Sequence, residues 1–85
     1  MEARDARRWY AERDPAAADA FLREIDAAVE RIARFPKTWP LFEAGTRRIL
    51  LKRFPFHIIY REISDGVEVV AVMHEKRRPG YWHSR

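Results

Sequence analysis

Eight side chains in the second half of the chain are suited to handling a phosphate or an acidic surface: Arg48, Lys52, His57, Arg61, His74, Arg77, Arg78 and Tyr81. Cations hold phosphate oxygens by charge and, for arginine, by paired hydrogen bonds. The same set has the parts needed to cut RNA. A base takes the 2′-OH proton, arginines stabilise the charged phosphorane, and an acid protonates the leaving oxygen. Arginine stays protonated at neutral pH, so proton transfer falls to His57, His74 or Tyr81. The alternative for each residue is a solvated strand cation with no chemical task. The stretch from His74 to Trp82 also sets Lys76, Arg77 and Arg78 beside Tyr81 and Trp82. Cations next to flat rings suit a polyanion or an acidic protein surface better than a small apolar ligand.

Other chemistries find little support. His57, His74 and His83 form no HExxH spacing and no Cys/His cluster, so no metal is expected. The three glycines are isolated turn residues and make no phosphate loop, so no nucleotide cofactor is expected. Ser64 and Ser84 lack a triad setting. Glu62, Glu68 and Glu75 read as surface residues without an apolar pocket to raise a carboxyl pKa.

Eighty-five residues make one domain, 1–85, with a modest core of the kind often completed by a partner. Cysteine is absent, which excludes a disulfide framework and fits a reducing compartment. No apolar run approaches the roughly 20 residues that span a bilayer. The opening Met1-Glu2-Ala3-Arg4-Asp5 has no signal-peptide core. The expectation is a soluble, cytoplasmic protein without a membrane partner. Charge divides unevenly. Residues 1–45 carry eight Lys/Arg against nine Asp/Glu, a net of −1, and residues 46–85 carry nine against four, a net of +5. A basic second half points to an acidic partner, nucleic acid or protein.

The elements that must position these residues follow from periodicity. A helical hairpin is predicted over 2–35. Ala3, Ala6 and Tyr10 have helical spacing with Trp9 alongside, Asp14 caps a second helix, and Pro15 suits its first position. Ala18, Phe21, Leu22, Ile25, Ala28, Val29 and Ile32 then form one apolar stripe, and Pro36 ends it. The connection 36–45 is expected to pack Trp39, Leu41 and Phe42 onto the helices. A three-stranded sheet is predicted over 46–74. Its strands are Arg47–Arg53, Phe56–Glu62 and Val67–Met73, with a turn at Ser64-Asp65-Gly66. Val67–Met73 is apolar on nearly every residue and reads as the central strand, covered on both faces. Period-2 alternation puts cations on a solvent-facing sheet surface while the helices cover the other face. The fold class is α+β: an N-terminal antiparallel helical hairpin on a small antiparallel sheet, followed by a basic aromatic tail over 75–85.

Four segments carry a family resemblance. They are Trp9-Tyr10 with Asp14-Pro15 and the long helix, Arg31-Ile32-Ala33-Arg34-Phe35-Pro36, the run from Arg47 to Arg61, and the run from Val72 to Trp82. In this order and spacing the chain resembles the RelE/ParE superfamily of type II toxin–antitoxin toxins. The resemblance implies a growth-arresting toxin held inactive by a cognate acidic antitoxin. RelE-type relatives cut mRNA on the ribosome with a basic sheet face, and ParE-type relatives poison DNA gyrase. For cleavage the resemblance implies Arg48, His57, His74, Arg77 and Tyr81. For target binding it implies Lys52, Arg61, Lys76, Arg77, Arg78, Tyr81 and Trp82.

Arg48 and Arg77 fall where RelE-like nucleases place cations. His57 stands where arginine is usual and Leu50 where lysine is usual, and the spacing to Tyr81 is imperfect. The Phe54-Pro55-Phe56-His57-Ile58-Ile59-Tyr60-Arg61 strand and the ending from His74 to Trp82 are more similar to the ParE branch. A gyrase-binding toxin is therefore the leading expectation, with a ribosome-dependent nuclease or a non-toxic antitoxin-binding relic as alternatives. Family members open with a strand before the first helix, and here that first strand is expected to be missing. An apolar edge at Val67–Met73 would follow, paired by a second copy or by an antitoxin strand.

Overall fold

The computed structural model describes residues 3–75. Helix α1 spans Ala3–Arg13 and α2 spans Pro15–Arg34, with Asp14 as the one residue between them. Asp14 serves both helices. Its N–H donates to Tyr10 O at 2.6 Å, closing α1. Its Oδ1 accepts from Ala16 N at 3.2 Å and Ala17 N at 3.4 Å, satisfying donors that the first turn of α2 leaves open. Pro15 has no N–H to satisfy and its fixed φ suits that position. At the other end Phe35 N returns to Arg31 O at 2.9 Å, and Pro36 blocks a further turn.

The stripe on α2 faces inward as its spacing requires. Ala18, Phe21, Ala28 and Ile32 are buried, and Leu22, Ile25 and Val29 are half-buried at its margins. Phe21 sits at the centre of an aromatic cluster. Its ring lies 5.5 Å from Tyr10 and 5.2 Å from both Phe54 and Phe56, in tilted and edge-on arrangements that complement ring quadrupoles. Residues from α1, α2, the loop between the first two strands, and the sheet therefore meet at one point.

The sheet has three antiparallel strands in the order β1-β2-β3: Arg47–Leu50, Phe56–Ile63 and Gly66–His74. Two expectations are corrected here. The central strand is β2, and Phe56, His57, Ile58, Ile59 and Tyr60 are buried in succession on both of its faces. The largely apolar β3 is an edge strand, with Val69 41% exposed. Apolar content does not report strand order, because order is set by connection lengths, and two short hairpin loops place consecutive strands side by side. The first strand also ends at Leu50 instead of Arg53. Leu51 N still reaches Phe56 O at 2.9 Å, but the backbone N–H groups of Lys52 and Arg53 turn to the Glu24 carboxylate and leave the ladder.

Tyr60 pairs with Val69 and Ile59 with Ala71, so Val70 is an extra residue and forms a bulge in β3. Ser64 and Asp65 form the two-residue loop between paired Ile63 and Gly66, and Gly66 supplies the φ of +154° that side chains disfavour.

In the connection, Trp39 packs against the core, but Leu41 is 71% exposed and Phe42 lies under Arg48. Leu41 bridges Arg47, which ties this backbone to the sheet margin and turns the leucine side chain to solvent. Arg47 secures the strap by donating to Trp39 O at 2.7 Å. No helix among the described residues is long and apolar enough to cross a membrane.

Candidate functional site

Register decides which candidate side chains share a face. Ile49, Ile58 and Val72 align across the strands and join the core beneath the helices. Arg48, Ile59 and Ala71 align on the opposite, open face, as do Leu50, His57 and Met73. The structure therefore brings Arg48 and His57 together. His74 pairs with Phe56, one position out of phase with His57, and so lies on the helix side of the sheet. Its ring stands 5.2 Å from that of Phe56, edge-on.

The open face differs from the solvated basic surface that alternation suggests. Ile59 is fully buried, Met73 is 1% exposed and His57 only 7%. Leu50, by contrast, is 55% exposed. Arg48 stacks on the Phe42 ring, with its Cζ 4.6 Å from the centroid. Burial holds the His57 pKa below the usual histidine range, with the positive charge of Arg48 adding to the effect, and neutral imidazole is the favoured form. Nδ1 of His57 is buried with no hydrogen-bond partner, an uncommon and costly state for a polar atom.

The remaining described candidates are dispersed. Lys52 is exposed in the bend after β1, its backbone held by Glu24. Arg61 is exposed and donates from Nε to Glu68 Oε1 at 2.6 Å, its cross-strand neighbour. Lys76, Arg77, Arg78, Tyr81 and Trp82 lie outside the described residues.

Two features escaped the reading of the sequence. The first is Glu24. Its Oε1 accepts from both Lys52 N and Arg53 N, the latter at 2.9 Å, and its Oε2 accepts from Arg53 Nε at 3.3 Å. Burial alone would raise its pKa, but those three donors outweigh burial and hold it below the ordinary carboxylate value. On α2 this residue reads as an ordinary polar position, and only its distance from the 52–53 bend reveals the clamp.

The second feature is a cavity of about 360 Å³ between α1 and the end of β3, lined by Ala6, Trp9, Tyr10, Pro55, Phe56 and His74. Trp9 is 46% exposed at its wall, with the Arg13 guanidinium 4.1 Å from its ring centroid. The adjacency of Trp9 and Tyr10 was the available signal, since a helix cannot turn both inward. Among the described residues no group of three His, Asp or Glu side chains is placed to hold a metal ion.

The family described as ParE toxin of type II toxin-antitoxin system, parDE, matches this chain over residues 2–79. No curated relative and no solved structure matches it.

Proposed function

Because the chain belongs to the ParE toxins of type II toxin–antitoxin systems, we propose that it arrests growth by binding and poisoning DNA gyrase, and that a cognate acidic antitoxin neutralises it. The observation that supports binding over cleavage is the separation of His57 from His74 on opposite faces of the sheet. General acid–base cleavage needs two proton-transfer groups within reach of one phosphate. His57 is also almost wholly buried, which suits packing more than access to a 2′-OH. Target contact then rests on the exposed Lys52 and Arg61, together with Lys76, Arg77 and Arg78, which the sequence sets beside Tyr81 and Trp82.

A second reading has its own observation. Arg48 and His57 share a face, and the unpartnered Nδ1 of His57 is an acceptor or donor awaiting a partner. That arrangement favours a ribosome-dependent mRNA endoribonuclease with His57 as the proton-transfer group and Arg48 beside the phosphate.

A gyrase cleavage assay separates the two. Purified chain, gyrase, ATP and supercoiled plasmid are incubated and linear DNA is quantified. Linear DNA that persists with His57→Ala and His74→Ala but is lost on charge reversal of Lys76, Arg77 and Arg78 supports gyrase poisoning. Absence of linear DNA from folded protein overturns it. Ribosome-dependent mRNA cleavage lost with His57→Ala then selects the nuclease, and inactivity in both assays selects the antitoxin-binding relic.

A further inference from the structure

The two edges of the sheet are finished differently. The β1 edge is four residues long and carries Arg47 and Arg48. The connection straps it: Arg48 N donates to Pro40 O at 3.2 Å, and Leu41 bridges Arg47. The β3 edge is nine residues long, the longest strand of the sheet, and reads GVEVVAVMH with no lysine, arginine or proline. Among the described residues no strand pairs with its outer side. An edge of this kind presents a row of N–H and C=O groups, and natural sheets blunt such rows by shortness, cations, proline, bulges or cover. The β1 edge uses three of these devices. The β3 edge has only its bulge at Val70.

We propose that the outer edge of β3 pairs with β3 of a second copy of this chain, joining two three-stranded sheets about a two-fold axis. The occupant follows from charge. Apart from His74 at its end, Glu68 is the only ionisable side chain of β3, and Arg61 of the same copy neutralises it. An acidic segment would meet no cation along this edge and would find none of the electrostatic reward that the basic residues elsewhere offer. An identical strand meets an apolar row like its own. In an antiparallel pair centred on the bulge, each Glu68 stands opposite Val72 of the second copy. The two carboxylates are then about 13 Å apart along the strand, at roughly 3.3 Å per residue, which exceeds the screening length of about 8 Å at physiological ionic strength. Val69, which shares the helix side with Tyr60 but lies beyond helical cover, gains a neighbour in this arrangement. The interface is independent of what the protein targets.

Sedimentation of the purified chain over rising concentration tests the proposal, together with amide hydrogen exchange. The expected result is a reversible dimer, with β3 amides exchanging more slowly as concentration rises. Val69→Lys, which places a cation on a side chain already exposed, is expected to weaken self-association on the order of tenfold or more. A monomer at every concentration overturns the proposal. So does a dimer in which β3 exchange is independent of concentration, because it places the contact elsewhere. Exchange in the unsubstituted chain decides the matter even if Val69→Lys fails to fold.

Discussion

Phe56, Ile58 and Tyr60 on one face of β2 and His57 and Ile59 on the other are all buried, yet the two faces are built differently. The helix side is a continuous packed cluster in which rings from both helices and the 51–55 loop meet the sheet. Its polar groups are satisfied: the Tyr60 hydroxyl donates to Pro36 O at 2.6 Å. The open side mixes fully buried Ile59 with exposed Leu50, a stacked arginine and an imidazole with an unpaired nitrogen. An unpaired buried nitrogen costs stability that an apolar residue of similar shape would not. The contrast separates a face whose polar groups are met from one that keeps a buried, unpaired nitrogen.

The largest test of that division is Phe21→Ala. Phe21 has no exposed surface and three ring neighbours, so truncation leaves a cavity at the meeting point of four elements. The expected loss is about 3–5 kcal/mol, enough to unfold much of a domain of this size at 37 °C. Leu50→Ala on the open face is expected to change stability by less than about 1 kcal/mol. Comparable losses in thermal unfolding would erase the distinction between the faces.

The helix side was also the more legible in the sequence. The stripe from Ala18 to Ile32 and the Asp14-Pro15 boundary each rest on local chemistry that the chain carries within a few residues, and both stand in the structure. The open face depends on register between strands, which local pattern leaves undetermined. His57 and His74 look like companions in the sequence because both sit among cations. They lie on opposite faces because Phe56, and not His57, pairs with His74. Strand order is hidden for a related reason: β3 is the more apolar strand, but β2 is the one with neighbours on both sides. Glu24 was invisible because its partners, Lys52 and Arg53, are remote in sequence.

Glu24 supplies the next prediction, since it ties α2 to the bend that feeds β2. Glu24→Ala strands two backbone donors and an arginine, and a loss of about 1–3 kcal/mol is expected in chemical denaturation. Its depressed pKa gives the sign of the acid response. Between the unfolded value, about 4.3, and the lower folded value, the unfolded chain binds the extra proton, so this part of the stability is lost as pH falls through that window. Glu24→Gln should remove that acid limb. An unchanged limb would mean that the clamp carries no net energy.

His57 tests the open face directly and with a smaller effect. Its folded pKa lies below the unfolded value of about 6.5, so here too the unfolded state takes up the proton first and stability declines as pH drops below neutrality. His57→Leu removes both the titration and the unpaired Nδ1. Stability at neutral pH is expected to hold or to rise by about 1 kcal/mol, and the decline as pH falls below neutrality should flatten. A clear loss of stability at neutral pH would show that the imidazole belongs to the packed structure, and the open face would then lose its most distinctive candidate.

The smallest expected effect concerns the pair at the margin of that face. Arg61 and Glu68 are about half exposed, with an Arg61 Nη2 to Glu68 Oε1 distance of 2.6 Å. Exposed pairs contribute less than about 1 kcal/mol and fade with salt. A double-mutant cycle with Arg61→Ala and Glu68→Ala should therefore return a small, salt-sensitive coupling in the folded monomer. The effect on self-association should run opposite in the two single variants. Glu68→Ala makes β3 wholly uncharged before His74 and should preserve or strengthen pairing, whereas Arg61→Ala leaves an uncompensated carboxylate beside the open edge and should weaken it. Equal effects from both variants would separate this ion pair from the edge, and leave strand length and apolarity as the properties that govern pairing.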